Sequence, residues 1–273
     1  IFTKGRNSSI MTMTTVKNPP RTVATQDYPR MAYCSAITTS TPEHYEHLKK
    51  LGITTVSVCL HVSGFDYHKF ATIHTDLARR AEMTTHAFMI TDLHEHIDDV
   101  IAFTKRLVKL YYTSKSKITL LINSDRFCKN REERIIEMID LLSRYHDRSC
   151  IDLAFFKRDL DDGLYDLSKL PKMINLTIIN CGAKASGVPA SGTWVYTDEV
   201  EGDVQYLAYD YYGYYTDGSG YQLSLVDFDY VAQPGDTWYS IARRHGMPVV
   251  DLLALNRAIA EDRIFAGQVV RIA

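Results

Sequence analysis

The chain has 273 residues and a net charge of −2, from 31 Lys and Arg against 33 Asp and Glu. Hydrophobic residues make up 45% and charged residues 23%, an ordinary globular composition with room for one large domain and one small one. That balance excludes a broad electrostatic pull toward nucleic acid or an anionic membrane, and no stretch is long and apolar enough to cross a bilayer.

Residues 1–28 are polar, Thr-rich and broken by Pro19-Pro20, so they read as a flexible arm or a cloning remnant, with Met11 or Met13 as a natural start. They contain no basic region followed by an apolar core, so no signal peptide is expected. From residue 29 to about 222, strand and helix signals alternate. Apolar runs predict strands at Arg30–Ser35, Thr54–Val62, Thr85–Ile90, Ile118–Ile122, Ile151–Phe156, Leu176–Asn180, Thr193–Thr197 and Val204–Tyr209. Thr41-Pro42-Glu43 opens a helix with an N-cap and a proline in its first turn, and Gly52 ends it. Phe70–Met83, Leu93–Tyr112 and Arg131–Tyr145 carry the helical i, i+3, i+4 apolar stripe. After Leu170 the connections become short. Alternation with continuous apolar strands predicts parallel βα units, and eight strands predict an α/β, (β/α)8-like closed barrel whose late helices are missing.

The last stretch, Tyr230 to Ala273, follows a predicted linker at 223–229 and has a different layout. Tyr230 and Val231 begin a strand that Pro234-Gly235 breaks. Asp236 or Thr237 caps a helix with Trp238, Ile241 and Ala242 on its apolar face, and Gly246 ends it. Val250, Leu252, Leu253 and Leu255 form a second stripe closed by Asn256, and Gly267 turns the chain into a final strand. This βααβ unit resembles the LysM family on Gly235-Asp236-Thr237, Ile241-Ala242, Leu253, Asn256, Ile264 and Gly267-Gln268. The resemblance implies binding of N-acetylglucosamine-containing glycan, in peptidoglycan or chitin, between two loops. One carries Gly235, Asp236, Thr237 and Trp238; the other runs from Ile259 and Ala260 to Ile264. Trp238, at a usual apolar helix position, reads as core before it reads as a sugar platform.

An eight-stranded barrel with missing late helices, next to LysM, resembles the family 25 glycoside hydrolases, the lysozyme-type muramidases of phage endolysins and bacterial autolysins. The anchors are Leu48–Leu60 (LKKLGITTVSVCL), Leu120–Asp125 (LLINSD) and Thr193–Tyr209 (TWVYTDEVEGDVQYLAY). At the positions where the resemblance implies catalytic carboxylates, this chain has Tyr33, Asn123 and Gln205, and the implied general-acid Glu is Asp125. Glycoside hydrolysis needs an acid for the leaving oxygen and a second group to stabilise positive charge at the anomeric carbon. Asn and Gln cannot supply that charge, and shortening Glu to Asp withdraws the carboxyl by roughly 1.5 Å, where a displacement of roughly 1 Å can cost about 10²-fold. Asp66, Asp92, Asp152, Asp203 and Asp210 lie near strand ends and are the alternatives for an acid pair.

Other clusters carry weaker chemistry. His94 and His96 flank Glu95, and side chains at i and i+2 of a helix point apart. His44 and His47 share a helix face, with no third ligand indicated. Cys34, Cys59, Cys128, Cys150 and Cys181 are odd in number, lack CxxC spacing and read as free buried thiols from a reducing compartment. Neither a metal nor a cofactor is expected. Lys105, Arg106 and Lys109 read as a solvated helix face. Tyr206, Tyr209, Tyr211, Tyr212, Tyr214, Tyr215 and Tyr221 form an aromatic cluster that either docks sugar or a partner or packs the barrel against the C-terminal unit. Gly218-Ser219-Gly220 reads as a turn. The expected protein is a peptidoglycan-binding, phage- or prophage-encoded chain with a degenerate muramidase-like barrel, made in the cytoplasm and reaching the wall in a virion or after holin release. Its alternatives are an active muramidase with Asp125 as acid, and a virion or homo-oligomeric assembly protein.

Overall fold

The computed structural model describes residues 28–65, 68–171, 174–216, 229–245, 247–256 and 258–272. Residues 1–27 of the predicted arm 1–28, Asp66, the turn Gly218-Ser219-Gly220, Tyr221 and Gly246 lie outside the described residues, as does the predicted linker apart from residue 229.

The larger unit runs β1 (Arg30–Cys34), α1 (Pro42–Lys50), β2 (Thr55–Val62), α2 (His68–Arg80), β3 (Thr84–Thr91), α3 (His96–Lys109), β4 (Ile118–Ile122), α4 (Arg131–Leu142), β5 (Ile151–Phe156), α5 (Lys157–Asp161), β6 (Asn175–Ile179), β7 (Thr193–Val200) and β8 (Asp203–Asp210). The eight strands close into a barrel in chain order. Neighbours from β1 to β7 are parallel, as the strand–helix alternation predicts. β8 departs from that pattern and runs antiparallel to both β7 and β1. The cause is local: Glu201 and Gly202 both have positive φ, 52° and 96°, and form a two-residue hairpin turn. So short a link leaves no room for the crossover a parallel partner needs.

Side chains alternate across the barrel wall. Met31, Phe88, Ile90, Leu121, Ala154, Ile179, Val195 and Ala208 fill the interior. Val56, Val58, Leu60, Met89, Leu120, Leu153 and Phe155 face outward and pack with Leu48, Phe103, Leu107, Ile135 and Ile139. Not all of the helical surface is solvated as the charge pattern suggests. Arg106 turns inward, donating to the Leu60 carbonyl at 3.0 Å and to His61 Nδ1 at 2.5 Å. His61 Nε2–H is thereby left to donate to buried Asp99, 2.7 Å away.

The base of the barrel is closed from below. Fully buried Asp210 accepts from the backbone N–H groups of Tyr214, Tyr215 and Thr216 and from the Thr216 hydroxyl, at 2.8–3.0 Å. The chain folds under the strands and drives Tyr215 into the barrel. The predicted tyrosine cluster therefore mostly serves the barrel itself. Tyr209 stacks on Tyr196 at 4.4 Å, Tyr211 meets Tyr28 edge-on at 4.9 Å, and Lys117 lies over the Tyr214 ring at 4.4 Å. Tyr212 is exposed, and Tyr206 lines the interior near the mouth.

The C-terminal unit is β9 (Asp229–Val231), α6 (Trp238–Arg244), α7 (Val249–Asn256) and β10 (Val269–Arg271), with β9 and β10 antiparallel. Ala232, Trp238, Ile241, Ala242, Leu252 and Val270 make its core. The Asn256 amide clasps β10, donating to the Arg271 carbonyl and accepting from its N–H, both at 2.8 Å. α7 packs on α3, and Arg271 lies over the Tyr111 ring, 5.2 Å from its centre, with a hydrogen bond to the Tyr111 hydroxyl. Among the described residues no helix is long and apolar enough to cross a membrane.

Candidate functional site

In an α/β barrel the site for chemistry is the mouth, at the C-terminal ends of the parallel strands. Tyr33 comes from β1 and points inward, edge-on to Phe88 at 5.5 Å. Its hydroxyl reaches the Thr119, Thr177 and Tyr215 hydroxyls at the base without a well-formed hydrogen bond. Burial, reinforced by Asp152, raises its pKa further, so it stays a neutral phenol. The ring fills space, and the cavity it lines with Phe88, Leu121 and Tyr206 is only about 20 Å³, room for at most one water. Asn123 follows β4, donating its N–H to the Thr91 carbonyl at 2.8 Å, and its half-buried side chain carries no charge.

Asp125 stands on the rim above Asn123, and its carboxylate is committed. Oδ1 accepts from the N–H groups of Phe127 and Cys128 at 2.8 and 2.9 Å, and Oδ2 meets His94 Nε2 at 3.2 Å. Slight burial pushes its pKa up, but His94 and the two backbone donors outweigh that and hold it below the usual carboxylate range. A general acid needs the opposite, a carboxyl kept protonated near working pH. The turn that Asp125 builds presents Phe127, 87% exposed, at the rim.

Gln205 does not face the mouth, contrary to the position assigned to it from sequence. It is 1% exposed and points outward to α1. Its Oε1 accepts from His44 Nε2 at 2.8 Å, and its Nε2 donates to the carbonyls of Tyr33 and Tyr206 at 3.1 and 2.9 Å. It ties β8 to β1 and α1, while Tyr206 takes the inward position.

The alternative acids separate into two groups. Asp152 and Asp210 sit at the opposite, closed end of the barrel and cannot reach a substrate at the mouth. Burial pushes Asp152 up to about 7 even though it accepts from Asn175, Thr177 and Tyr215 at 2.8, 2.8 and 2.6 Å. Asp92 shares the rim with Asp125, since both act on the Cys128 thiol, and it accepts from the His94 N–H at 3.0 Å. Asp203 is exposed beside a groove of about 360 Å³ between α1 and the β7–β8 hairpin. His44, neutral through burial, and His47, 3.4 Å from Glu201, line that groove. His94 precedes α3, which begins at His96, so the helical spacing argument does not apply to the pair; His94 reaches Asp125 and His96 reaches Glu137. Four of the five free thiols are buried, with Cys181 partly so, and no cluster with metal-holding composition occurs among the described residues.

The second candidate site is the loop pair of the C-terminal unit. Gly235 has φ +89°, a conformation that L side chains rarely adopt, and open space surrounds the position a Cβ would take. Asp236 Oδ2 accepts from the Tyr230 hydroxyl at 2.6 Å and the Gln233 N–H at 2.7 Å, while Oδ1 accepts from Arg244 at 3.0 Å. Thr237 and Ser240 form a reciprocal capping box that starts α6. Trp238 is 4% exposed and belongs to the core, so its face is not free to stack on a sugar. Its Nε1–H donates to the Asp262 carbonyl at 2.8 Å and joins the two loops. Gly235, Thr237, Ile259 and Ala260 are exposed, and Ile264 is half-buried. Exposed Tyr239 and Phe265, on or beside the same loops, escaped sequence reasoning because single aromatics there carry no pattern.

Comparison with known proteins agrees with both halves. The LysM domain family model matches residues 230–273. No curated protein sequence matches the chain. Among solved structures, the catalytic domain of an endolysin from a bacteriophage of Listeria monocytogenes superposes with TM-score 0.58 at 12% identity, covering 72% of this chain and 100% of that one. A family 25 glycosyl hydrolase from Bacillus anthracis gives 0.55 at 13% identity, over 68% and 91%. The modular autolysin LytC of Streptococcus pneumoniae, solved with a synthetic peptidoglycan ligand, gives 0.54 at 12%, over 68% and 47%. At these identities the likeness shows the fold alone. The barrel thus has the fold of family 25 lysozymes, and residues 230–273 are a LysM domain.

Proposed function

We propose that this chain holds cell-wall glycan through its LysM loops and that its barrel does not cut that glycan. The first half rests on the LysM match and on the exposure of Gly235, Thr237, Ile259 and Ala260 beside one another's loops. An N-acetyl group offers an amide for backbone hydrogen bonds and a methyl for an apolar dent, which suits two loops joined through Trp238 and Asp262.

The second half rests on one observation. The carboxylate of Asp125 is spent on two backbone donors and His94, and it is held ionised. An acid so placed has no proton to give to a leaving oxygen. Tyr33 and Asn123 add no second charge, and the barrel interior has no room for a sugar ring. Of the alternative acids among the described residues, Asp92 is the one that shares the Cys128 side of the rim with Asp125, and a muramidase using Asp92 with Asp125 is the reading that activity would support. We place the parts at 1–28 (arm), 29–222 (barrel), 223–229 (linker) and 230–273 (LysM). A phage or prophage setting, with delivery to the wall in a virion or through holin lesions, suits the endolysin-like fold.

The test is co-sedimentation of the full chain with purified peptidoglycan, with N-acetylglucosamine oligomers as competitors and released reducing ends measured in parallel. Competable pelleting without release is expected. Absence of pelleting overturns the binding half, and release of reducing ends overturns the other.

A further inference from the structure

The surface by which the LysM domain rests on the barrel contains an acid that its surroundings do not neutralise. Asp251 lies in the first turn of α7, against the end of α3 and the turn that follows it. Two cavities of about 10 Å³ each meet its side chain. One is lined by Val108, Tyr111, Tyr112 and Met247; the other by Thr104, Leu142, Tyr145 and His146. Each is too small for more than a single water. The Thr104 hydroxyl in the second is buried without a partner.

Groups from α3, from the turn after α4 and from the LysM side face Asp251. From α3 and its following turn come Thr104, Tyr111 and Tyr112, the last kept a neutral phenol by burial. From the turn after α4 come Tyr145 and His146. Burial lowers the His146 pKa to about 4, and its Nε2–H is given to the Ser116 carbonyl at 2.7 Å. On the LysM side Met247 is apolar, and the cation of Arg271 lies over the Tyr111 ring. Among the described residues no cation pairs with Asp251.

We infer that Asp251 is an acid-operated latch: the LysM domain docks on the barrel with Asp251 protonated, and ionisation of Asp251 loosens the junction. Asp251 stays partly open to solvent, and the burial it does undergo is the sole cause that pushes its pKa up to about 7 in the docked arrangement. Freed from the barrel, an aspartate titrates near about 3.9, and the start of a helix favours its charge further. The docked state therefore binds the proton more tightly. Docking is strongest below about pH 4, weakens up to tenfold per pH unit from there to about pH 7, and changes no further above that. The sugar-facing residues Gly235, Thr237, Ile259 and Ala260 are exposed while docked, so the latch governs how rigidly the barrel carries the LysM domain, not access to it. This inference is independent of whether the barrel is catalytic.

The experiment uses the full chain. The Asp251 carboxyl carbon is titrated by NMR, and the radius of gyration is measured by small-angle scattering at about pH 5 and about pH 8, for wild type and Asp251→Asn. The expected result is a titration near neutrality, a larger radius at the higher pH in wild type, and one compact radius at both pH values in the variant. Titration near about pH 4, an unchanged wild-type radius, or a variant that expands like wild type would each overturn the latch. Circular dichroism checks that both proteins are folded; should the variant not fold, the wild-type titration and radius decide.

Discussion

Tyr215 donates a 2.6 Å hydrogen bond to Asp152 inside the base of the barrel, and both residues are fully buried. The same hydroxyl lies 2.8 Å from Thr119 Oγ1, and His86 Nε2 holds the Tyr215 carbonyl at 3.0 Å. The turn after β8 thus stoppers the barrel and adds a third donor to a buried carboxyl group that Asn175 and Thr177 also serve. Replacing Tyr215 by Phe keeps the ring and removes the donor. A loss of about 1–3 kcal/mol is expected, the cost of leaving a buried polar group one partner short, read from the urea midpoint of the barrel transition.

Asp152 itself makes barrel stability pH-dependent. Its pKa is raised to about 7 in the folded state, against about 3.9 unfolded. The sign follows: the folded state binds the extra proton, so this contribution is complete below about pH 4 and is lost as pH rises through about 7. The difference is on the order of 4 kcal/mol at most. Asp152→Asn should flatten this part of the stability–pH curve, checked by denaturation of both proteins from about pH 4 to about pH 8.

Gly235→Ala tests the first LysM loop through its backbone. Nothing obstructs the added methyl, so the cost is that of forcing φ +89° on alanine, roughly 1–2 kcal/mol. A lower melting temperature for the LysM transition and weaker wall co-sedimentation are expected.

Trp238→Phe separates packing from tethering. The ring stays in the core while the bond to the Asp262 carbonyl is lost. A loss of about 1 kcal/mol is expected, with faster amide exchange in 259–264. Trp238→Ala should cost about 3–5 kcal/mol and unfold the domain.

Much of the architecture was legible in the chain. The apolar runs located all eight barrel strands, because a strand buried on both faces leaves an unbroken hydrophobic record. The direction of β8 was not legible, because it depends on Glu201 adopting positive φ beside Gly202, in place of the usual Asn-Gly or Asp-Gly signal. Gln205 was misplaced by one position of the alternation: β8 pairs regularly with β1 through Tyr33 and Tyr206, so the period of two that puts Ala208 and Tyr206 inside turns Leu207 and Gln205 outward. Asp125 could be found by its motif, but its commitment to Phe127, Cys128 and His94 is a matter of geometry. Asp152 and Asp251 left no sequence signal, since a lone aspartate beside apolar residues looks the same whether its end of the element is wet or enclosed.

Whether wall glycan is held and not cut is decided by counting reducing ends released from purified peptidoglycan by wild type and by Asp125→Asn, with bound protein measured in the same pellets. The expected result is equal pelleting of the two proteins and no release above background by either. Release by wild type that Asp125→Asn abolishes, with pelleting intact, would contradict it and make Asp125 the acid of a working muramidase.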